Sequence, residues 1–152
     1  MNTEQNQQYM QHLGFIQDVI TRMNTNSFQI KEITILIITA CLAIYASEKV
    51  SMMLLIPIFP TVVFWYLDSY YLLQERKFRA IYDDVANIKK PPINSVKLYS
   101  MPINKYNADK KPTLSLWNVF KSTTISVFYG SLISFLIICF TLSTAHYILI
   151  IN

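Results

Sequence analysis

STTISVFYGSLISFLIICFTLSTAHYILII, from Ser122 to Ile151, runs for thirty residues without an Asp, Glu, Lys or Arg. As a helix it extends about 45 Å at 1.5 Å per residue, which exceeds the ~30 Å hydrocarbon core of a bilayer. An apolar stretch of this length is typical of a transmembrane helix. The segment therefore predicts a span that tilts, or whose first turns lie in the membrane interface.

Two shorter uncharged segments precede it. Val50–Leu67 has eighteen residues before Asp68, which is enough to span a bilayer. Ile33–Ser47 has only fifteen, but Lys31 and Lys49 at its ends can extend their charged groups towards water. We interpret it as a span rather than a cleaved signal peptide, because the small-residue cleavage pattern is poor.

Composition agrees with a membrane protein. Hydrophobic residues make up 53% of the chain and charged residues 14%, against about 25% charged in soluble domains. The sequence predicts an all-α membrane protein with three transmembrane helices per subunit, an N-terminal amphipathic helix and a basic cytoplasmic loop, assembled as an oligomer. Its predicted segments are an amphipathic helix (1–27), a first span (28–48), a second span (50–73) continuing as a cytoplasmic helix to about residue 88, a loop (89–116) and a third span (117–152).

The loop between the second and third spans sets the predicted orientation. Glu75–Lys121 holds ten Lys or Arg against four Asp or Glu, whereas the turn between the first two spans has one cation. Because basic loops stay on the cytoplasmic side, the N-terminus and loop 74–121 are predicted to be cytoplasmic and the C-terminus to lie on the opposite side of the membrane. If Ile33–Ser47 does not span, the N-terminus lies outside. The net charge of +4 then favours anionic lipid headgroups as partners over nucleic acid.

The N-terminal segment has a helical apolar stripe, formed by Met10, Leu13, Ile16, Ile20 and Met23. The helix either lies on the membrane or under the bundle, or binds a partner protein or a second copy. Asn24-Thr25-Asn26-Ser27 interrupts the stripe, and Ser27 is predicted to cap the first span.

Prolines predict two further irregularities. Pro57 and Pro60 favour a kink or a locally unwound stretch in the second span, either as packing geometry or as a hinge. Lys89-Lys90-Pro91-Pro92 ends the cytoplasmic helix. Residues 93–113 then predict either a small hairpin, from the β-prone run Val96–Tyr99, or an ordered loop.

Asp68 is the most costly residue of the second span, since an ionised carboxylate at the edge of the hydrocarbon core needs a partner. Lys31 and Lys121 are predicted at the same depth, so a structural ion pair is favoured over an ion- or proton-handling carboxylate. Aromatic and basic side chains at this level are predicted to contact the lipid interface; they are Trp65, Tyr70, Tyr71, Arg76, Lys77, Arg79 and Trp117.

Small residues recur every four positions in the third span, at Ser126, Gly130 and Ser134. This spacing lets helices approach closely and is typical of an association face, within the chain or with another copy. Three spans bury little surface, which favours a homo-oligomer.

Catalytic signatures are absent from the sequence. It has no glycine-rich phosphate loop, no CxxC or HExxH motif and no Ser/His/Asp set. Cys41 and Cys139 are interpreted as small core residues, and the predicted topology separates His12 from His146. We therefore predict no catalytic, cofactor-binding or metal-binding residue, and no cofactor.

A family resemblance rests on three groups of residues: Asn26-Ser27-Phe28 with Ile30-Lys31; Phe64-Trp65 with Leu67-Asp68 and Tyr70-Tyr71; and Gln74-Glu75-Arg76 with Phe78-Arg79 and Tyr82. Over roughly residues 10–85 the chain resembles the RipA-type octameric membrane proteins of bacteria. The resemblance implies a small protein of the bacterial inner membrane that assembles as a ring-like oligomer, without an established biochemical activity. In that membrane the predicted C-terminus is periplasmic. It transfers no catalytic residue.

Three functional hypotheses follow. The first is a non-enzymatic oligomeric scaffold or stress- and envelope-adaptation component, with an unidentified protein partner in some settings. The second is a pore-forming or channel-like effector, for which Ser and Thr on the third span are the candidate polar lining. The third, a membrane enzyme, is disfavoured because no polar constellation supports it.

Overall fold

The computed structural model describes residues 3–88 and 92–151. It contains four α-helices, which are α1 (Thr3–Glu48), α2 (Ile58–Val85), α3 (Leu116–Phe120) and α4 (Thr123–Ile151). Short 3₁₀ helices occur at Ser51–Leu54, Ile103–Lys105 and Pro112–Leu114. The described residues contain no strand, so of the two alternatives for 93–113 the hairpin is wrong and the loop is correct. Residues 89–91, part of the predicted helix stop and loop, lie outside the described residues.

Three segments are long and apolar enough to span a membrane, which confirms that part of the fold prediction. They lie in α1, in Ser51–Val85 and in α4. Within the chain, only 11%, 22% and 17% of their most apolar 18-residue windows is buried. Most residues of these windows are therefore not fully buried within the described part of the chain.

The first helix is continuous, which corrects the prediction of a cap at Ser27. α1 runs for 46 residues, roughly 70 Å at 1.5 Å per residue. The Thr25 hydroxyl donates to the Thr21 carbonyl of the preceding turn at 3.0 Å, and Ser27 is buried on the side of an unbroken helix. Capping preferences of Asn, Thr and Ser are weak when both flanks are helical, since such hydroxyls can also bond back to the helix.

The second span begins irregularly, as the unwound alternative for the proline pair predicts. α2 starts at Ile58, not at residue 50, and a 3₁₀ helix over Ser51–Leu54 precedes it. The Ser51 and Ser143 hydroxyls are 2.7 Å apart and join this turn to α4. At the far end of α2, Asn87 adopts the left-handed conformation (φ 53°), and the Ile88 amide donates to the Asp83 carbonyl at 3.0 Å, as in a Schellman motif.

The third span is interrupted near its start, which corrects the single segment predicted for 117–152. α3 ends at Phe120 and α4 begins at Thr123. The Phe120 carbonyl accepts hydrogen bonds from the Trp65 indole at 3.3 Å and from the Ser126 hydroxyl at 3.1 Å. Both hydrogen bonds converge on the break between α3 and α4, where the chain turns at Lys121.

The chain divides into two compact units. The loop unit comprises Met1–Ser27 and Ser69–Val119, and the apolar unit comprises Phe28–Asp68 and Phe120–Asn152. The loop unit has a buried core that includes Ile16, Ile20, Ile81, Tyr106, Leu114 and Val119. The apolar unit has its own core, which includes Ile38, Leu54, Ile125, Tyr129 and Leu136.

Candidate functional site

A carboxylate and an ammonium group meet inside the apolar unit. The Lys31 Nζ atom lies 2.6 Å from Asp68 Oδ2, and the Asp68 side chain is fully buried while that of Lys31 is 25% exposed. The structure thus pairs Asp68 with Lys31, the first of its two predicted partners. Lys121, the second, lies in the turn between α3 and α4 with an exposed side chain.

Tyr129 lies against this pair and is completely buried. Its hydroxyl has no well-formed hydrogen bond among the described residues. The nearby Thr34 hydroxyl donates to the Ile30 carbonyl of its own helix at 2.7 Å. Lys31 belongs to α1, Asp68 to α2 and Tyr129 to α4, so the cluster brings together side chains of the three long helices inside the apolar unit.

Trp65 belongs to the packing of the same unit. Its ring stacks on Phe120 with a centroid distance of 4.5 Å and on Tyr129 at 6.0 Å. Among the other predicted interface residues, Tyr70 and Trp117 are exposed, whereas Tyr71 and Lys77 are half-buried.

The small-residue row of α4 is open within the chain. A methyl group added at Gly130 would meet no atom within 4 Å. Ser134 is exposed, and the buried positions of α4 are Ile125, Tyr129 and Leu136 on another face. Among the described residues, the position of Gly130 therefore has room for another helix, whereas the Ser126 hydroxyl bonds the Phe120 carbonyl.

Basic side chains line a cavity of about 420 Å³ in the loop unit. α1 contributes Gln17 and Ile20, and α2 contributes Arg76, Arg79, Ala80, Tyr82 and Asp83. The loop before α3 contributes Lys111, Thr113 and Leu114. Its volume lies in the range of about 300–1,000 Å³ that is usual for small-molecule sites.

The three cationic side chains of the cavity differ in the hydrogen bonds and ion pairs that they form within the chain. Arg79 Nε donates to Glu75 Oε1 at 2.7 Å, as the four-residue spacing predicts, and Glu75 is buried behind it. Arg76 Nη1 lies 3.4 Å from the Thr113 carbonyl, a long hydrogen bond. The Lys111 ammonium has no partner within the described part of the chain. The sequence placed Arg76 and Arg79 at the lipid interface; the structure adds that both line a defined cavity.

Asp84 organises the loop that forms one wall of the loop unit. Its carboxylate accepts hydrogen bonds from the Ile93 amide at 3.0 Å, the Asn94 amide at 2.8 Å and the Tyr106 hydroxyl at 2.7 Å. Burial, followed by the neighbouring Asp84 carboxylate, raises the pKa of the Tyr106 phenol.

The hydrogen bonds of Asp84 to the loop were not predicted from the sequence, although the position of Asp84 in its helix indicates a partner. Asp83 and Asp84 occupy the last turn of α2, where the helix dipole disfavours negative charge. Carboxylates in that position suggest partners outside the helix.

Among residues 3–88 and 92–151, no group of three or more His, Cys, Asp or Glu could hold a metal ion. His12 is buried against the Tyr99 ring, with centroids 5.8 Å apart.

Comparison with known proteins adds no family. No family model, curated protein or solved structure matches the chain. Functional inference therefore rests on the sequence and on the geometry given above.

Proposed function

We propose that this chain is the subunit of a non-enzymatic oligomeric scaffold in a bacterial inner membrane. One observation carries the proposal: a Cβ atom added at Gly130, the centre of the small-residue row, would have no neighbour within 4 Å in the described part of the chain, which leaves room there for another helix. Small residues in a membrane helix matter where another backbone comes close. A second copy of the chain is the partner that supplies such a backbone.

The low burial of the three apolar segments supports the same proposal. α4 is the most apolar of them, and only 17% of its apolar window is covered by the rest of the chain. Further copies packed around α4 would cover that surface with side chains as well as lipid. The resemblance to octameric membrane proteins favours a closed ring, and closed symmetry is the usual form of homo-oligomers.

The geometry makes Gly130→Leu a clean test of assembly. Since the site is open in the isolated chain, leucine should leave the subunit fold intact and block only the approach of a second helix. We expect the mass of the detergent-solubilised particle, measured by light scattering, to fall towards that of the 17.7 kDa subunit. Helix content by circular dichroism should stay unchanged.

Ser131→Leu is the matched control. Ser131 is the next residue and is exposed, but it lies about 100° further round the helix. It should retain the oligomer. An unchanged particle mass for Gly130→Leu, or equal losses for both variants, would exclude the Gly130 row as the assembly face.

A conducting pore is the alternative, and it gains no specific support from the side chains of α4. The hydroxyls of Ser131, Thr141 and Thr144 donate to carbonyls of their own helix. Planar-bilayer recording separates the two functions. A scaffold gives no unitary conductance, whereas reproducible single-channel steps that disappear in Gly130→Leu would establish the pore.

A further inference from the structure

We propose that the basic cavity of the loop unit binds a phosphate group carried by an organic molecule. This inference is independent of the scaffold function. Arg76, Arg79 and Lys111 line the cavity, against one carboxylate, Asp83. Because Glu75 pairs with Arg79, the three positive charges face two negative charges, and the remaining excess of one positive charge favours an anionic ligand such as a phosphate group.

The donors converge from separate parts of the loop unit. Arg76 and Arg79 are three residues apart on one face of α2, and Lys111 comes from the loop that precedes α3. Placing like charges together costs free energy unless an anion offsets it. Guanidinium groups suit phosphate in particular, because their planar forks donate two parallel hydrogen bonds to its oxygens.

Much of the donor capacity is unused within the chain. The Lys111 ammonium and the Gln17 side-chain amide have no partner among the described residues. Arg79 uses Nε for Glu75 and keeps its two terminal nitrogens for another acceptor. The long bond from Arg76 to the Thr113 carbonyl is weak enough to exchange for a phosphate oxygen.

The other walls explain why an organic phosphate is favoured over the bare ion. Ile20, Ala80 and Leu114 form an apolar side of the cavity and are themselves buried. A volume of about 420 Å³ exceeds what one phosphate ion fills, so the space can also hold the carbon skeleton attached to it. The same chemistry occurs in a lipid headgroup and in a free phosphate ester.

Lys111→Gln is the discriminating variant, since it removes a charge that makes no contact within the described chain. Its control is Lys110→Gln, which removes the same charge one residue away and outside the cavity. Full-length protein in neutral detergent is titrated calorimetrically with glycerol 3-phosphate. In parallel, protein in phosphatidylcholine nanodiscs with and without phosphatidylglycerol is followed by thermal unfolding.

We expect saturable binding that Lys111→Gln weakens about tenfold, the loss of one charge-assisted contact, and that Lys110→Gln leaves unchanged. Saturation by glycerol 3-phosphate in detergent identifies a free ester as a ligand. Stabilisation by phosphatidylglycerol alone, lost in Lys111→Gln, identifies a lipid headgroup. Absence of both effects in the wild type, or equal weakening by the two variants, would overturn the proposal.

Discussion

Asp84 should hold the loop over residues 92–106 in place, and Asp84→Ala tests this directly. Its carboxylate accepts three hydrogen bonds of 2.7–3.0 Å, from two loop amides and the Tyr106 hydroxyl. Hydrogen bonds to a charged acceptor contribute about 1.5–3 kcal/mol each when buried. Asp84 is half-buried, and in the variant water can replace part of the bonding to the amides. Asp84→Ala should therefore lower the free energy needed to open the loop by about 3 kcal/mol.

Amide hydrogen exchange measures that opening. A change of about 3 kcal/mol corresponds to roughly hundredfold faster exchange. The increase should be confined to peptides that cover residues 92–106 of the solubilised protein. Asp109→Ala is the control, because Asp109 is exposed and accepts one hydrogen bond, from the Asn107 side chain at 3.2 Å. Unchanged exchange in Asp84→Ala, or the same increase in Asp109→Ala, would refute the role of Asp84.

Two further predictions concern the other buried polar groups. Lys31→Ala should cost about 3 kcal/mol of stability in detergent because it leaves the Asp68 carboxylate buried without this cation; adding Asp68→Ala should recover part of that loss, and fully additive melting shifts would disprove the coupling. Burial raises the pKa of Tyr106 in the folded chain above 10.0, its ordinary value in the unfolded chain. The protonated phenol therefore contributes its full share of the folding free energy below pH 10.0, and this share falls as the pH rises above that value. The alkaline slope of stability should be steeper than in Tyr106→Phe by at most about 1.4 kcal/mol per pH unit; identical slopes would contradict the burial of the phenol.

Long-range apolar patterns were sufficient to predict the three spanning segments. Hydropathy depends on composition over about 20 residues and needs no knowledge of neighbours. The proximity of Lys31 to Asp68 was also predictable, because a buried carboxylate requires a cation and few cations share its depth. The continuation of α2 past its apolar segment followed from its helical stripe, and the helix ends at Val85.

Local interruptions could not be placed from sequence, because tertiary contacts determine them. Ser27 resembles a cap but lies within an unbroken helix. The break after Phe120 depends on its carbonyl accepting donors from Trp65 and Ser126, and Trp65 is 55 residues away in sequence. The three hydrogen bonds of Asp84 likewise require the loop over residues 93–106 to lie against the end of α2. The sequence around Asp84 does not predict where that loop lies.

Asp68, which is buried, and Asp84, which is half-buried, take different hydrogen-bonding partners because the backbone around them offers different donors. Asp68 lies in a unit built from helices, where most amides are committed to the helical ladder, and it is paired with an ammonium group. Asp84 lies beside an irregular loop whose amides have no ladder, and it takes its donors from that backbone. Asp68 therefore links helices, whereas Asp84 fixes a loop. The chain beyond that loop carries Lys111 to the basic cavity, so Asp84, which does not line the cavity, fixes a segment that precedes one of the cavity's cationic side chains.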